Sequence, residues 1–185
     1  MLVNSKFEHS FNNIKNELSL KSKWIDTLLG PMIAIADEKA LYLLEFLETR
    51  NLVNEVKNLV NKTKANIIEG ESEPINSITK ELSRYFAGTL KDFKTPYYLL
   101  GSDFQKIVWQ GLTQIPYGQT RSYLDQAKIL NKPMAVRATA NANGKNRLAI
   151  IIPCHRVINT NGKLGGYGGG IDNKKWLLEH EMNYQ

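Results

Sequence analysis

Between Trp24 and Leu47 the apolar positions fall in short runs broken by turn residues: WIDTLL, Gly30-Pro31, MIAIAD, the turn-like DEKA, then LYLLEFL. Runs of this length, separated by Gly, Pro and Asp, predict strands joined by tight turns, a β-meander. The period then changes. Leu52, Val53, Val56, Leu59 and Val60 recur at helical spacing and predict a helix, and ANIIEG predicts a further strand. A second helix opens near Pro74, since proline is tolerated in a first turn whose N–H groups have no helical partner. It carries Ile75, Ile78, Leu82, Tyr85 and Phe86 on one face until Gly88 stops it. Residues 24–100 therefore read as a small α+β domain. Residues 1–23 are an Asn/Ser/Lys-rich extension to which the pattern assigns no element and no role.

Residues 101–185 have a different texture. Ser102 is a plausible N-cap for DFQKIVWQGLTQI, whose Phe104, Ile107, Val108, Leu112 and Ile115 form an apolar stripe. Pro116-Tyr117-Gly118 breaks it, Ser122–Leu130 predicts a second short helix, Asn131-Lys132-Pro133 a turn, and Met134 to about Ala142 a third helix. Short helices joined by tight turns are the sequence form of a helix-turn-helix. The third helix, MAVRATANA, sets Ala135, Ala138, Ala140 and Ala142 around one long cation, Arg137. Such a surface can approach a partner's backbone closely while the arginine reaches in. A packed alanine-rich helix with a solvent-facing arginine is the bland alternative.

Composition sharpens this. Of 185 residues, 24 are Lys or Arg and 18 Asp or Glu, a formal charge of +6. Residues 1–100 hold 13 basic and 13 acidic side chains, residues 101–185 hold 11 and 5, so the whole excess lies in the second part. That asymmetry is expected when one half meets a polyanion, with solubility alone as the competing reading. The 42% hydrophobic content argues against wholesale disorder. No apolar run approaches the roughly 18–20 residues that span a bilayer, and the first residues lack the apolar core of a signal peptide. A cytoplasmic location and no membrane partner are expected. The single cysteine, Cys154, excludes an internal disulfide and a multi-cysteine zinc site, and fits a reducing compartment.

The chemistry clusters late in the chain. LAIII reads as a buried β-branched strand ending at Pro153, with Cys154-His155 just beyond. A thiol reacts as thiolate and needs a base or positive electrostatics nearby. Adjacent strand residues point to opposite faces, so Cys154 and His155 cooperate only through a bend or a bridging water; an inert core cysteine is the alternative. Glu181, on a C-terminal helix capped by Asp172, is a candidate to orient a histidine that deprotonates the nucleophile. Zinc on Cys154, His155, His180 and Glu181 is disfavoured, because two pairs of sequence neighbours make poor tetrahedral geometry. The glycine-rich GKLGGYGGG matches neither a Walker loop nor a dinucleotide fingerprint. With Tyr167 embedded, it fits a reader of a base edge built from backbone N–H groups, or a flexible hairpin loop.

Ile-Pro-Cys-His-Arg-Val at 152–157, preceded by Asn146 and followed by Gly165-Gly166-Tyr167 and Trp176-Leu177-Leu178-Glu179-His180-Glu181, resembles the O6-alkylguanine-DNA alkyltransferases, or methylated-DNA–protein-cysteine methyltransferases. The resemblance is strong over residues 102–181 and weaker over about 24–100. It implies an α+β fold: a small ribonuclease H-like N-terminal α/β domain followed by a winged helix-turn-helix-type domain carrying the active site. It also implies double-stranded DNA as partner, bound in the minor groove with little sequence preference, no cofactor, no metal, and a mechanism that requires no oligomer.

By the same resemblance Cys154 accepts the alkyl group, His155 takes the thiol proton through a water, Glu181 holds the imidazole and Asn146 braces the turn. Tyr123 hydrogen-bonds the base, backbone groups at Val157 and Gly168 beside Tyr167 read its edge, and Arg137, flanked by Ala135 and Ala138, fills the stack vacated by the flipped nucleotide. Lys106, Lys128, Lys132, Lys145 and Arg147 are candidates for phosphate contacts. Three departures stand out: Gly168 where many relatives carry Ser, Arg147 where proline usually follows the asparagine, and no four-cysteine N-terminal module. Three other activities are weighed against the residues present. An alkyltransferase-like lesion sensor lacks the acceptor cysteine, a winged-helix transcription regulator needs side chains for major-groove readout, and a papain-like hydrolase needs a base remote from its cysteine.

Overall fold

The computed structural model describes residues 18–49 and 51–185, so the extension expected at residues 1–23 lies mostly outside the described residues. Strands β1 (Ser19–Ile25), β2 (Met32–Ala36) and β3 (Leu41–Phe46) form the meander, followed by α1 (Leu52–Thr63), β4 (Asn66–Glu69) and α2 (Glu73–Phe86). The sheet runs β3-β2-β1-β4, antiparallel except for the β1–β4 pair. β1 starts at Ser19, upstream of the expected Trp24, because Leu20 plugs fully into the core while its Ser and Lys neighbours stay accessible. Both faces of the sheet are covered. Ile33, Ile35 and Leu43 meet Leu52, Val56 and Leu59 of α1; Met32, Ala34, Leu44 and Phe46 meet Ile75, Ile78, Leu82 and Tyr85 of α2. Two-sided burial is why MIAIA reads as an unbroken apolar run.

The second of these clusters continues through Val108, Trp109 and Leu112 into Leu148–Ile152 and Leu177, so one core joins the two halves of the chain. There α3 (Asp103–Leu112) opens on a capping box. The Gln105 N–H donates to Ser102 Oγ at 3.3 Å and the Ser102 N–H to Gln105 Oε1 at 2.9 Å. β5 (Arg121–Ser122) leads into α4 (Tyr123–Ile129), capped by Ser122, and a 3-10 turn at Pro133–Ala135 feeds α5 (Val136–Asn143). The third helix is thus tighter at its start than its pattern implied, because Pro133 occupies the first position and lacks an N–H. α5 packs on α3 and α4. Trp109 Nε1 donates to the Ala142 carbonyl at 2.8 Å, and the Gln126 and Asn143 amides pair reciprocally. β6 (Val157–Ile158) pairs in parallel with β5, and α6 (Ile171–Asn183) closes the chain. This is the expected helix-turn-helix-type half on an α+β protein.

Two expectations fail locally. LAIII is buried, but it is a turn rather than a strand: Leu148 makes an isolated bridge to Leu44, and Ile150 sits at φ 71°. Burial, not β structure, is what its side chains record. Asp172 does not cap α6; Gly170, at φ 93°, takes that position, which an L side chain rarely adopts, and Asp172 lies in the first turn.

Arg147 is also placed differently from its reading as a phosphate contact. Its guanidinium Nε donates to Glu55 of α1 and its Nη1 to the Leu100 carbonyl at 3.2 Å, and the Arg147 and Glu55 side chains keep only about a tenth of their surface exposed. It ties the two halves together. No helix among the described residues is long and apolar enough to cross a membrane.

Candidate active site

The turn that carries the cysteine is built by Asn146. Its Oδ1 accepts the Leu148 N–H at 3.0 Å, and its Nδ2 donates to the Ile152 carbonyl at 2.9 Å and to Cys154 Sγ at 3.2 Å. β3 grips the same turn: the Leu44 N–H donates to the Arg147 carbonyl, and the Leu44 carbonyl accepts the Ala149 N–H, each at 2.8 Å. One of these bonds uses the backbone carbonyl of residue 147 and the others its neighbours, so the turn is held by hydrogen bonds without a proline there. They also hold Ile150 in a left-handed conformation that a β-branched residue avoids.

Cys154, His155 and Arg156 form one turn of 3-10 helix, the bend that their adjacency required. The Cys154 side chain is half-buried, and burial pushes its thiol up to about 11 against the opposing Asn146 bond, so it rests protonated near neutral pH. His155 is fully buried, which pushes its imidazole below the ordinary value. A neutral ring whose Nε2 lies 2.8 Å from Glu181 Oε1 donates its proton there. Nδ1 is then a bare lone pair, buried and with no partner among the described residues. It is a base waiting for a proton.

Glu181 is fully buried and collects five donors: His155, the Tyr85 hydroxyl at 2.9 Å, the Gly118 N–H at 3.1 Å, and Arg156 through Nε at 2.7 Å and Nη2 at 3.0 Å. Burial alone would lift its carboxyl. The His155 and Arg156 interactions outweigh that and hold it well below the usual range, with Arg156 as the counter-charge. Arg156 is anchored in turn by the Ile115 carbonyl at 2.6 Å. Gly118 reaches the carboxylate from a φ of 71°, where a Cβ would also lie 2.3 Å from the Gln185 side chain.

Around this centre, Tyr123 sits at the junction of β5 and α4. It lines a pocket of about 310 Å³ with Arg137, Ala140, Asn159 and Gly166. Burial raises the Tyr123 hydroxyl's pKa, keeping it a donor. Arg137 and Ala138 are exposed on α5 and Ala135 is partly exposed just before it. The Val157 carbonyl accepts Lys174 Nζ at 2.6 Å; Lys174 is itself buried and pushed down to about 8 by that burial. The Tyr167 ring lies 6.3 Å from His155, with a buried hydroxyl that has no partner among the described residues. A Cβ at Gly168 would meet open space, whereas one at Gly169 would lie 2.7 Å from the Phe46 ring, so the glycine-rich loop rests on β3.

Against this geometry the comparisons with known proteins are decisive. The DNA-binding domain of the 6-O-methylguanine DNA methyltransferases matches residues 103–183, and the ribonuclease-like domain of the same proteins matches residues 20–99. A methylated-DNA–protein-cysteine methyltransferase of Methanosarcina barkeri is 40% identical over 159 residues, 86% of this chain and 95% of that one. The chain belongs to the 6-O-methylguanine DNA methyltransferase family. A Mycobacterium bovis protein of the same name is 54% identical over 103 residues, 56% of this chain and 62% of that one. A crystal structure of Mycobacterium tuberculosis OGT in complex with DNA is 39% identical and superposes with a TM-score of 0.76, covering 90% of this chain and 94% of that one.

In this methyltransferase-family chain the structure brings Asn146, Cys154, His155 and Glu181 into one buried cluster. Tyr123 and Arg137 line a common pocket beside it. Sequence reasoning missed Arg156, Tyr85, Gly118 and Lys174. Arg156 carried a signal, a cation directly after the Cys-His pair and below an apolar run. Tyr85 carried none beyond its place on a helix face, since its partner is 96 residues away.

Proposed function

We propose that the protein repairs DNA by moving one alkyl group from O6 of guanine to Cys154, in a single displacement per molecule. The observation that carries the reading is a half-buried thiol, pinned by Asn146, beside a neutral imidazole whose Nδ1 has no partner among the described residues and whose other nitrogen is fixed on an ionised carboxylate. The thiol proton passes through a water to His155 Nδ1, and Glu181 stabilises the imidazolium that forms. Sulfur bonds the alkyl carbon as the carbon–O6 bond breaks, and the electron pair goes to guanine. Tyr123 hydrogen-bonds the base and passes its hydroxyl proton to it as the carbon–O6 bond breaks, so guanine leaves neutral, and the tyrosinate regains a proton through water from the imidazolium. Backbone groups of Val157 and Gly168 read the base edge, with Tyr167 behind them.

A base inside a duplex is out of reach, so the nucleotide is extruded at a cost of a few kcal/mol. Arg137 fills the gap from α5, which lies in the minor groove with Ala135 and Ala138 permitting close approach. The thioether has no route back to a thiol, so the protein is consumed. It acts as a monomer, in the cytoplasm, on any sequence context.

Incubation with a duplex containing O6-methylguanine, followed by peptide mapping by mass spectrometry, tests this. A methyl group on the Cys154 peptide is expected. An unmodified peptide with unrepaired DNA would sink the proposal.

A further inference from the structure

We infer that Tyr85, from the first half of the chain, is a positioning residue for the acid–base pair: its hydroxyl fixes the Glu181 oxygen that faces His155 and limits how strongly the imidazole holds a proton. The inference rests on the alkyl-transfer reading of Cys154. Three donors share Glu181 Oε1: the Tyr85 hydroxyl at 2.9 Å, His155 Nε2 at 2.8 Å and Arg156 Nη2 at 3.0 Å. An oxygen that serves three donors gives less to each. Because the tyrosine proton draws on the charge that would otherwise steady a protonated His155, it favours the neutral base that the reaction needs.

The hydroxyl cannot leave. Tyr85 is fully buried, its ring packed against Phe93, Tyr117 and His180 at 5.5, 6.1 and 5.3 Å, and its carbonyl accepts His180 Nε2 at 2.8 Å. Packing alone would be satisfied by phenylalanine. Aiming a hydroxyl at a buried carboxylate is a separate feature. It also gives the catalytic carboxylate a direct ligand from the sheet-bearing half, which grips the cysteine turn through Leu44 as well.

The other charged or titratable groups facing this pair are Arg156 on the 3-10 turn, Lys174 and His180 on α6, Tyr117 after α3, Tyr167 in the glycine-rich loop and Cys154; Glu45 of β3 acts on Tyr167 and Cys154. All remain in Tyr85→Phe. In that variant, made in the full chain, the His155 imidazole titration followed by NMR with 15N-labelled histidine should move to higher pH. The acid limb of single-turnover transfer from an O6-methylguanine duplex should move with it. On that limb the rate should fall about three- to tenfold, the scale of one ordinary hydrogen bond, because Tyr85 is one of three donors sharing the oxygen. In a Glu181→Gln background the same substitution should shift nothing.

A fluorinated tyrosine at position 85 keeps the ring and strengthens the donor, and should move the midpoint the other way; it also serves if Tyr85→Phe does not fold. Unchanged midpoints, whatever happens to melting temperature or rate, would overturn the inference. Failure of the unmodified protein to transfer an alkyl group would instead defeat the functional reading, and the NMR titration would still report on the Tyr85 coupling.

Discussion

Replacing Arg147 by Met removes the cation that joins the two halves of the molecule. Among the described residues Glu55 then keeps the Asn51 amide, at 3.1 Å, and the Leu100 carbonyl loses the Arg147 donor. Glu45, a second carboxyl whose pKa is raised chiefly by its burial, lies near enough to Glu55 for that charge to raise it further. Stranding one partner of a buried pair costs about 3–5 kcal/mol. Side chains that retain 11% and 9% of their surface place this pair near the lower end, about 3 kcal/mol. For a chain of this length that is roughly 6–12 °C in Tm. Urea unfolding at neutral pH should show a lower midpoint at an unchanged slope.

The double variant Glu55→Leu/Arg147→Met discards both charges, and should return to within about 1 kcal/mol of the parent. A loss below about 1 kcal/mol for Arg147→Met, or a double variant as weak as the single, would refute the argument that a desolvated ion pair holds the halves together.

Two further outcomes are expected. Burial pushes the Glu45 carboxyl up to about 8, from an ordinary value of 4.5, so the folded chain binds a proton there that the unfolded chain has released. That contribution is complete below the unfolded value and disappears as pH rises through about 8. Stability should therefore decline between about pH 5 and 9, by at most on the order of 4–5 kcal/mol from this group. Glu45→Gln should flatten the curve measured by urea midpoints, and an identical pH slope in both proteins would contradict the assignment. Arg137→Ala, at an exposed position, should leave stability within about 0.5 kcal/mol. It should weaken repair in a duplex far more than reaction with the free alkylated base, and equal losses on both would remove the proposed flipping role.

Much of the site was legible because its parts are local. Asn146, Cys154, His155 and the glycine-rich loop lie within 25 residues, and the order Pro-Cys-His-Arg carries chemistry that composition alone does not explain. The LAIII run misled for a physical reason. β-branched residues record burial as strongly as they record strand, and here Asn146 and β3 satisfy the backbone so that a turn can be buried instead. Arg147 misled in the other direction: a cation in a basic segment reads as surface until a carboxylate from another element meets it.

What the amino-acid order determined by itself was the succession of elements, the location of the charge excess and the candidate nucleophile, because periodicity, net charge and residue chemistry are properties of neighbours. The tertiary structure decided the protonation states. Cys154 rests as a thiol, His155 is a neutral base and Glu181 an anion because burial and partners set those equilibria. The partners of Glu181 include Tyr85 from a helix of the other half, which no local pattern brings together.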